Sequence, residues 1–251
     1  MKKDYHHLLL AWMILTGLIV FALFVTWRED ILMLLFSGDK SRISWAITLL
    51  YFVVTLHCCV RAWYLSSQLN LTMNIEKLLR TNEKNLAVRL DNGTVHVNGN
   101  HALPDSVLAE YLHDLIYKTE HESINNNSET SRQSNELLEV YEARLKKPHD
   151  AGWFCADVMV KLGLLGTIVG FVLMLGTVSN VTDFDLSTVQ KILKHMSSGM
   201  GTALFTTFAG LVCSILAGLQ YHMLDRGADD IIDAAKHLSS VYILPKLNHV
   251  A

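Results

Sequence analysis

The sequence predicts an all-α membrane protein with four transmembrane helices, long cytoplasmic helical extensions and a small cytoplasmic segment that contains a β-hairpin. Hydrophobic residues make up 51% of the 251 residues, and charged residues make up only 18%. Four stretches of 23, 18, 21 and 30 residues contain no Asp, Glu, Lys or Arg. Because a bilayer core requires about 20 apolar helical residues, each stretch is long enough, or nearly so, to cross a membrane.

The spans are expected near residues 7–27, 43–63, 157–179 and 199–223. Buried helices of a soluble protein are the alternative, but such helices seldom stay uncharged beyond about 14 residues. No small-x-small cleavage site follows the first span, so we expect a retained helix and not a signal peptide. The predicted organisation has four parts: a transmembrane hairpin (1–63), a cytoplasmic segment (64–156), a second transmembrane pair (157–223) and a cytoplasmic helical tail (224–251).

The distribution of basic residues predicts the orientation. Four spans place both termini and segment 64–156 on one side, and only five of the 21 Lys and Arg residues fall on the other. Since basic residues near span ends mark the cytoplasmic side, we expect both termini to be cytoplasmic. The flanking residues behind this prediction are Lys2, Lys3, Arg61, Lys146, Lys147, Lys161 and Arg226.

Composition and motifs disfavour several classes of protein. The formal net charge of −3 leaves no basic excess for binding nucleic acid. No nucleophile–base pair and no spaced metal-ligand set is visible, so we expect no enzyme activity, metal or cofactor. His57, Cys58 and Cys59 are adjacent and would point in different directions on a helix, which favours packing over metal binding.

The segment between the second and third spans is predicted to be a small collar of packed elements. The second span should continue as an amphipathic helix through Leu79. Alternating apolar residues around Asn92-Gly93 predict a hairpin. Pro104 should open a helix whose apolar face comprises Val107, Leu108, Tyr111, Leu112, Leu115 and Ile116.

The rest of this segment and the tail are also assigned from patterns. The Asn- and Ser-rich residues 123–135 predict a loop, followed by a helix from about 135 to 146 that ends before Pro148. After the fourth span, an amphipathic helix should bury Ile231, Ile232, Ala235 and Leu238, with nearby Asp residues on a solvated face.

Spans three and four differ from the bulky first two in carrying faces of small residues. Small faces allow helices to approach closely in lipid, and Gly166 and Gly170 form a GxxxG pair. The face on span three comprises Gly163, Thr167, Gly170, Met174 and Thr177. The face on span four comprises Gly199, Ala203, Thr206 or Thr207, Gly210, Ser214 and Ala217.

These threonines have two interpretations, helix packing alone or the lining of a polar path. A hydroxyl can support water, a cation or a carboxyl group, but it cannot shuttle a proton at working pH. A conducting site needs an ionisable group, and no Asp or Glu lies inside any span core. Either the protein does not conduct, or another chain supplies the acid.

Two fragments, GLLGTIVGF (163–171) and GTALFTTFAGLV (201–212), resemble the core of the MotA/TolQ/ExbB proton-channel family. The resemblance covers about residues 157–226, and four spans with a large second cytoplasmic segment resemble the MotA arrangement. It implies a bacterial inner-membrane ring, usually a homo-pentamer, around single-span partner helices of the ExbD/TolR/MotB kind, each with an intramembrane Asp. The transported ion would be H+, with Na+ as the alternative.

The resemblance also implies residue roles. Thr167 and Thr207 match the family threonines that face the partner Asp, and Thr202, Thr206 and Thr177 extend the candidate ion path. Gly163, Gly166, Gly170 and Gly210 would allow close helix packing. ExbB and TolQ carry a Glu at the position of Thr202, and the MotA-type prolines are absent here. The main alternative is a non-conducting oligomeric membrane scaffold, and a membrane enzyme is a distant third.

Asp157 and Lys161 are spaced i, i+4 at the cytoplasmic entry of span three. The spacing predicts an ion pair at the membrane surface, where Lys161 can extend towards the headgroups. A role as charges at the mouth of a pore is the less favoured interpretation.

Overall fold

The computed structural model describes residues 7–81, 88–91, 94–97, 101–121, 127–178 and 186–243. Within these residues, six α-helices and three short strands follow one another. They are α1 (His7–Arg28), α2 (Ile31–Gly38), α3 (Ile43–Thr81), β1 (Val88–Asp91), β2 (Thr94–Val97), β3 (His101–Ala102), α4 (Val107–His121), α5 (Asn127–Val178) and α6 (Leu186–Leu238), and a π-helical turn (Ser239–Ile243) follows α6.

Four of these helices are long and apolar enough to cross a membrane, which confirms the predicted fold class of an all-α membrane protein. They contain the four predicted spans, in α1, α3, α5 and α6. Within α1, from Leu8 onward, Ile19 alone is buried, so this helix presents apolar side chains outward over most of its length. A surface of that composition suits acyl chains better than water.

The chain forms two compact units. The membrane unit comprises Leu10–Val60 and His149–His222 and holds nearly all of the predicted span residues. The polar unit comprises Met1–Leu9, Arg61–Pro148 and Met223–Ala251.

The polar unit has its own hydrophobic core, and it confirms the predicted apolar face of α4. Leu108, Tyr111, Leu112, Leu115 and Ile116 are each at most 1% exposed. Because these positions recur every three or four residues, they lie on one side of the helix. The other core residues are Ile75, Leu79, Leu103, Leu138, Tyr141, Ala235, Leu238 and Ile243. The predicted extensions of the second and fourth spans therefore supply part of this core.

The predicted hairpin is present. β1 and β2 pair antiparallel with Asp91 opposite Thr94, the register that the prediction requires, and the predicted turn at Asn92-Gly93 itself lies outside the described residues. β3 pairs with β2 and completes a three-stranded sheet that the sequence pattern did not predict. A two-residue strand is too short to produce an alternating pattern.

The prediction that a helix ends before Pro148 is wrong. α5 continues through Pro148 to Val178. A proline inside a helix removes the hydrogen bond to the carbonyl four residues earlier and costs about 3 kcal/mol. In the turn before Pro148, Arg61 Nη2 donates to Leu145 O at 2.9 Å. A side chain from α3 thus adds a donor to the turn that the proline disrupts.

The prediction of a loop over 123–135 is wrong for its second part, because α5 begins at Asn127. Residues 122–126 lie outside the described residues. The buried Ser134 hydroxyl is 2.8 Å from Tyr111 Oη of α4. This tertiary contact helps to stabilise a helical turn whose composition alone favours a loop.

Candidate functional site: the α5–α6 threonines

Helices α5 and α6 pack through glycines on both. A Cβ atom built on Gly210 would lie 2.7 Å from Met159 O and 3.0 Å from Gly163 Cα. Nearer the other end of the contact, a Cβ on Gly170 would lie 2.7 Å from Gly199 O. Real Cβ atoms do not approach so closely, and any larger residue would push the helices apart. The two small-residue faces therefore meet within one chain.

Gly166 provides the space for Thr206. A Cβ at Gly166 would overlap the Thr206 side chain, which is fully buried. The Thr206 hydroxyl lies within hydrogen-bond range of two carbonyls of its own helix, Thr202 O at 2.9 Å and Ala203 O at 3.1 Å. Thr206 is thus enclosed between the two helices, and its hydroxyl donates to a backbone carbonyl of α6.

The Thr207 hydroxyl has hydrogen-bond acceptors on both helices. Its hydroxyl can donate to Gly163 O on α5 at 3.2 Å or to Ala203 O on α6 at 3.1 Å, and the side chain is half-buried. A hydroxyl has one proton, so it serves one acceptor at a time and keeps lone pairs for another group. Since α5 and α6 approach so closely here, a small displacement can switch the acceptor.

Thr167 is half-buried on α5, one turn after Gly163, and its hydroxyl donates to Leu164 O in its own helix. In both Thr167 and Thr207, therefore, the hydroxyl proton has an acceptor within the chain and the side chain is partly exposed. The side chain of Thr177, the remaining predicted path residue on α5, lies outside the described residues.

Thr202 forms hydrogen bonds with the loop before α3. Its buried hydroxyl can donate to Gly38 O at 3.0 Å or to Ser198 O of its own helix at 3.1 Å, and it accepts from Lys40 N at 3.3 Å. The hydroxyl thus joins α6 to the chain on both sides of Asp39. These two hydrogen bonds link positions that are 162 and 164 residues apart in the chain.

Asp39 organises this loop. Its Oδ1 accepts from Ser41 N at 2.8 Å and Ser41 Oγ at 2.6 Å, and its Oδ2 accepts from Ser44 N at 2.8 Å. Burial of the carboxyl opposes ionisation, but the hydrogen bonds from Ser41 and Ser44 outweigh it and lower the Asp39 pKa. The carboxylate satisfies backbone donors at the start of α3, as an N-terminal cap does. We name Gly38, Asp39, Lys40 and Thr202 the outer clasp.

Sequence reasoning missed the outer clasp. An Asp followed by Ser two and five residues later, just before an apolar run, is a capping signal that could have identified Asp39. The hydrogen bonds of Thr202 with Gly38 and Lys40 join positions far apart in the sequence, so no local pattern predicts them.

The membrane unit also contains a contact that no spacing predicted. Tyr221 is fully buried, its Oη is 2.7 Å from His57 Nδ1, and a Cβ at Gly152 would overlap its ring. His57 therefore takes part in packing and hydrogen bonding, as its sequence context favoured.

The predicted ion pair between Asp157 and Lys161 forms, and both side chains are more than half exposed. An exposed pair of this kind contributes at most about 0.5 kcal/mol. Among the described residues, no group of three or more His, Cys, Asp or Glu side chains is placed to hold a metal ion.

Comparison with known proteins agrees with this arrangement. The family model described as the MotA/TolQ/ExbB proton channel family matches residues 102–237, more than half of the 251 residues. The match runs from Ala102 in β3 through α4 and α5 and includes all but the last residue of α6. No curated protein and no solved structure matches the chain. On the family match, this membrane protein belongs to the MotA/TolQ/ExbB proton channel family.

Proposed function

We propose that the chain is the ring-forming subunit of a proton-driven, or sodium-driven, stator or energiser complex of the bacterial inner membrane. In this proposal a homo-pentamer surrounds single-span partner helices of the ExbD/TolR/MotB kind. The transported ion binds at the partner's intramembrane Asp, and ion flow is coupled to mechanical work. Both termini lie in the cytoplasm, and no resident cofactor takes part.

The observation that supports this proposal most directly is the pair of half-buried hydroxyls beside the α5–α6 glycine contact. Thr207 donates to Gly163 O or Ala203 O, and Thr167 lies one turn from that glycine. Neither span has an Asp or Glu in its core, since Asp157 lies at the entry of the third span. Because hydroxyls can position a carboxyl group and its ion but cannot exchange the proton themselves, the arrangement suits an acid supplied by another chain.

Two other predicted path residues, Thr206 and Thr202, stabilise the helices that carry the site. Thr206 fills the space left by Gly166, and Thr202 fixes the outer end of α6 to the outer clasp. Thr202 and Thr206 are fully buried, so the proposal gives direct contact with the ion or the partner Asp to the half-buried Thr167 and Thr207. The exposed Asp157–Lys161 pair would mark the cytoplasmic mouth.

Replacement of Thr207 tests the proposal. Thr207→Val keeps the side-chain shape but removes the hydroxyl, so we expect assembly to persist and ion-dependent activity to fall to background. Thr207→Ser is the matched control, because it restores the donor and should retain activity. Proton entry into cells that co-express the partner, followed with a pH-sensitive dye, gives the measurement.

A non-conducting scaffold is the second candidate, and the inward bonding of Thr202 and Thr206 favours it. A scaffold would show no partner-dependent ion entry in the unaltered protein, and Thr207→Val would then affect assembly or nothing. Gene context gives an independent check. A neighbouring reading frame should encode a short protein whose one N-terminal span contains Asp, and its absence would count against the channel.

A further inference from the structure

Polar side chains meet inside the membrane unit between α3 and α6. Thr55 Oγ1 donates to Gln220 Oε1 at 3.3 Å, and Gln220 is fully buried. Tyr51 lies one turn before Thr55 on α3, and its hydroxyl lies close to the Thr55 and Gln220 side chains without forming a hydrogen bond to either. We name Tyr51, Thr55 and Gln220 the α3–α6 polar site. It lies apart from the Thr207 hydroxyl, which is bonded to α5 and to its own helix.

Two buried polar atoms of this site have no hydrogen-bond partner among the described residues, namely Gln220 Nε2 and Tyr51 Oη. Leaving a buried donor unpaired costs about 1–3 kcal/mol in proteins. Exchanging the amide oxygen and nitrogen of Gln220 does not remove this cost, because Nε2 would then meet Thr55 and Oε1 would be unpaired. In either orientation, one end of the amide needs a partner.

We propose that an ordered water molecule occupies the α3–α6 polar site and binds Gln220, Tyr51 and Thr55. A buried water needs two to four polar partners, and these three side chains can provide them. A metal cation fits less well, since it prefers more oxygen ligands, some of them charged, than two hydroxyls and a neutral amide provide. The water satisfies the Gln220 amide and joins α3 to α6.

X-ray radiolysis of the full chain in lipid nanodiscs tests this inference, because hydroxyl radicals formed from a bound water oxidise the side chains beside it. We expect Tyr51 to be oxidised several-fold faster than Tyr221. Tyr221 is a suitable internal reference because it is fully buried in the same unit and its hydroxyl is bonded to His57. Equal, slow oxidation of the two tyrosines would overturn the inference.

Two variants establish whether the polar site is the source of the water. Gln220→Leu and Thr55→Val each remove polar groups with little change in volume, and each should reduce Tyr51 oxidation to the rate of Tyr221. Only variants that keep the wild-type oligomeric state and thermal midpoint are compared, so Thr55→Val carries the test if Gln220→Leu does not fold. Unchanged Tyr51 oxidation in the comparable variants would overturn the inference. The result does not depend on ion flow, so it can fail or hold independently of the proposed channel.

Discussion

At the scale of single residues, neighbouring threonines on α6 have different surroundings. Thr206 is enclosed under Gly166, whereas Thr207 is half-buried and reaches Gly163 O. The sequence pattern left these two as alternatives for one face, because consecutive helical residues are rotated by about 100° and either could face α5. The relative position of α5 decides which hydroxyl is enclosed.

Close glycine packing makes a quantitative prediction. Gly210→Ala places a Cβ against Met159 O, so we expect the free energy of unfolding to fall by about 1–3 kcal/mol. The measurement is thermal unfolding of the purified protein in detergent. Gly17→Ala is the matched control, because nothing lies within 4 Å of a Cβ there, and helix propensity should raise stability slightly. Similar destabilisation by both changes would contradict the packing argument.

The outer clasp predicts a dependence of stability on pH. The Asp39 pKa is lower in the folded protein than its ordinary value of 3.8. Its contribution to stability is therefore fully present above that value and is lost as the pH falls through the lower, folded-state pKa. Asp39→Asn should lower the thermal midpoint at pH 7, and the difference from the unaltered protein should shrink only below about pH 3.8. A difference that shrinks between pH 7 and 5 would point to another group.

At the scale of elements, α5 shows how tertiary contacts override local signals. Its 52 residues include an Asn- and Ser-rich start and an internal proline, each of which favours a break. Within the polar unit, Leu138, Tyr141 and Leu145 are buried at three- and four-residue intervals along this helix. Burial of this face stabilises helix on the N-terminal side of Pro148.

The contribution of Arg61 to stability should depend on the presence of Pro148. Arg61→Met removes the donor to Leu145 O, and we expect a loss of about 1 kcal/mol in the free energy of unfolding. Pro148→Ala restores the N–H that bonds to Arg144 O and removes the clash of the proline ring with this turn, so Leu145 O can pair with His149 N within the helix. The same Arg61 change should therefore cost less in that background. A double-mutant cycle by denaturant unfolding measures the difference. Equal costs in the two backgrounds would mean that Arg61 acts independently of the proline.

At the scale of the whole molecule, α5 and α6 each carry an exposed apolar stripe in addition to their shared glycine contact. The stripe on α5 comprises Leu164, Ile168, Phe171, Val172 and Leu175, and the stripe on α6 comprises Leu204, Phe208, Leu211 and Ile215. These stripes can contact lipid, neighbouring copies or a partner helix. The small-residue faces are already used within the chain, so assembly would depend on these larger side chains.

Assembly and orientation are both open to measurement. Native mass spectrometry of the purified protein should show a homo-oligomer, for which we expect five copies, and a monomer would contradict the proposed ring. A reporter that is active only outside the cytoplasm should be active when fused after Ser37 and inactive when fused after Lys147. The reverse pattern would invert the predicted orientation.

The sequence by itself determined the four spans, the Asn92-Gly93 hairpin, the apolar face of α4 and the small-residue faces of α5 and α6. These features follow from hydrophobicity, residue size and turn chemistry, which are local properties of the chain. Tertiary structure decided the continuity of α5 through Pro148, the burial of Thr206, the contact of Thr202 with the Asp39 loop and the enclosure of Gln220. Each of these depends on atoms brought together from residues far apart in the chain, so no local pattern could record them.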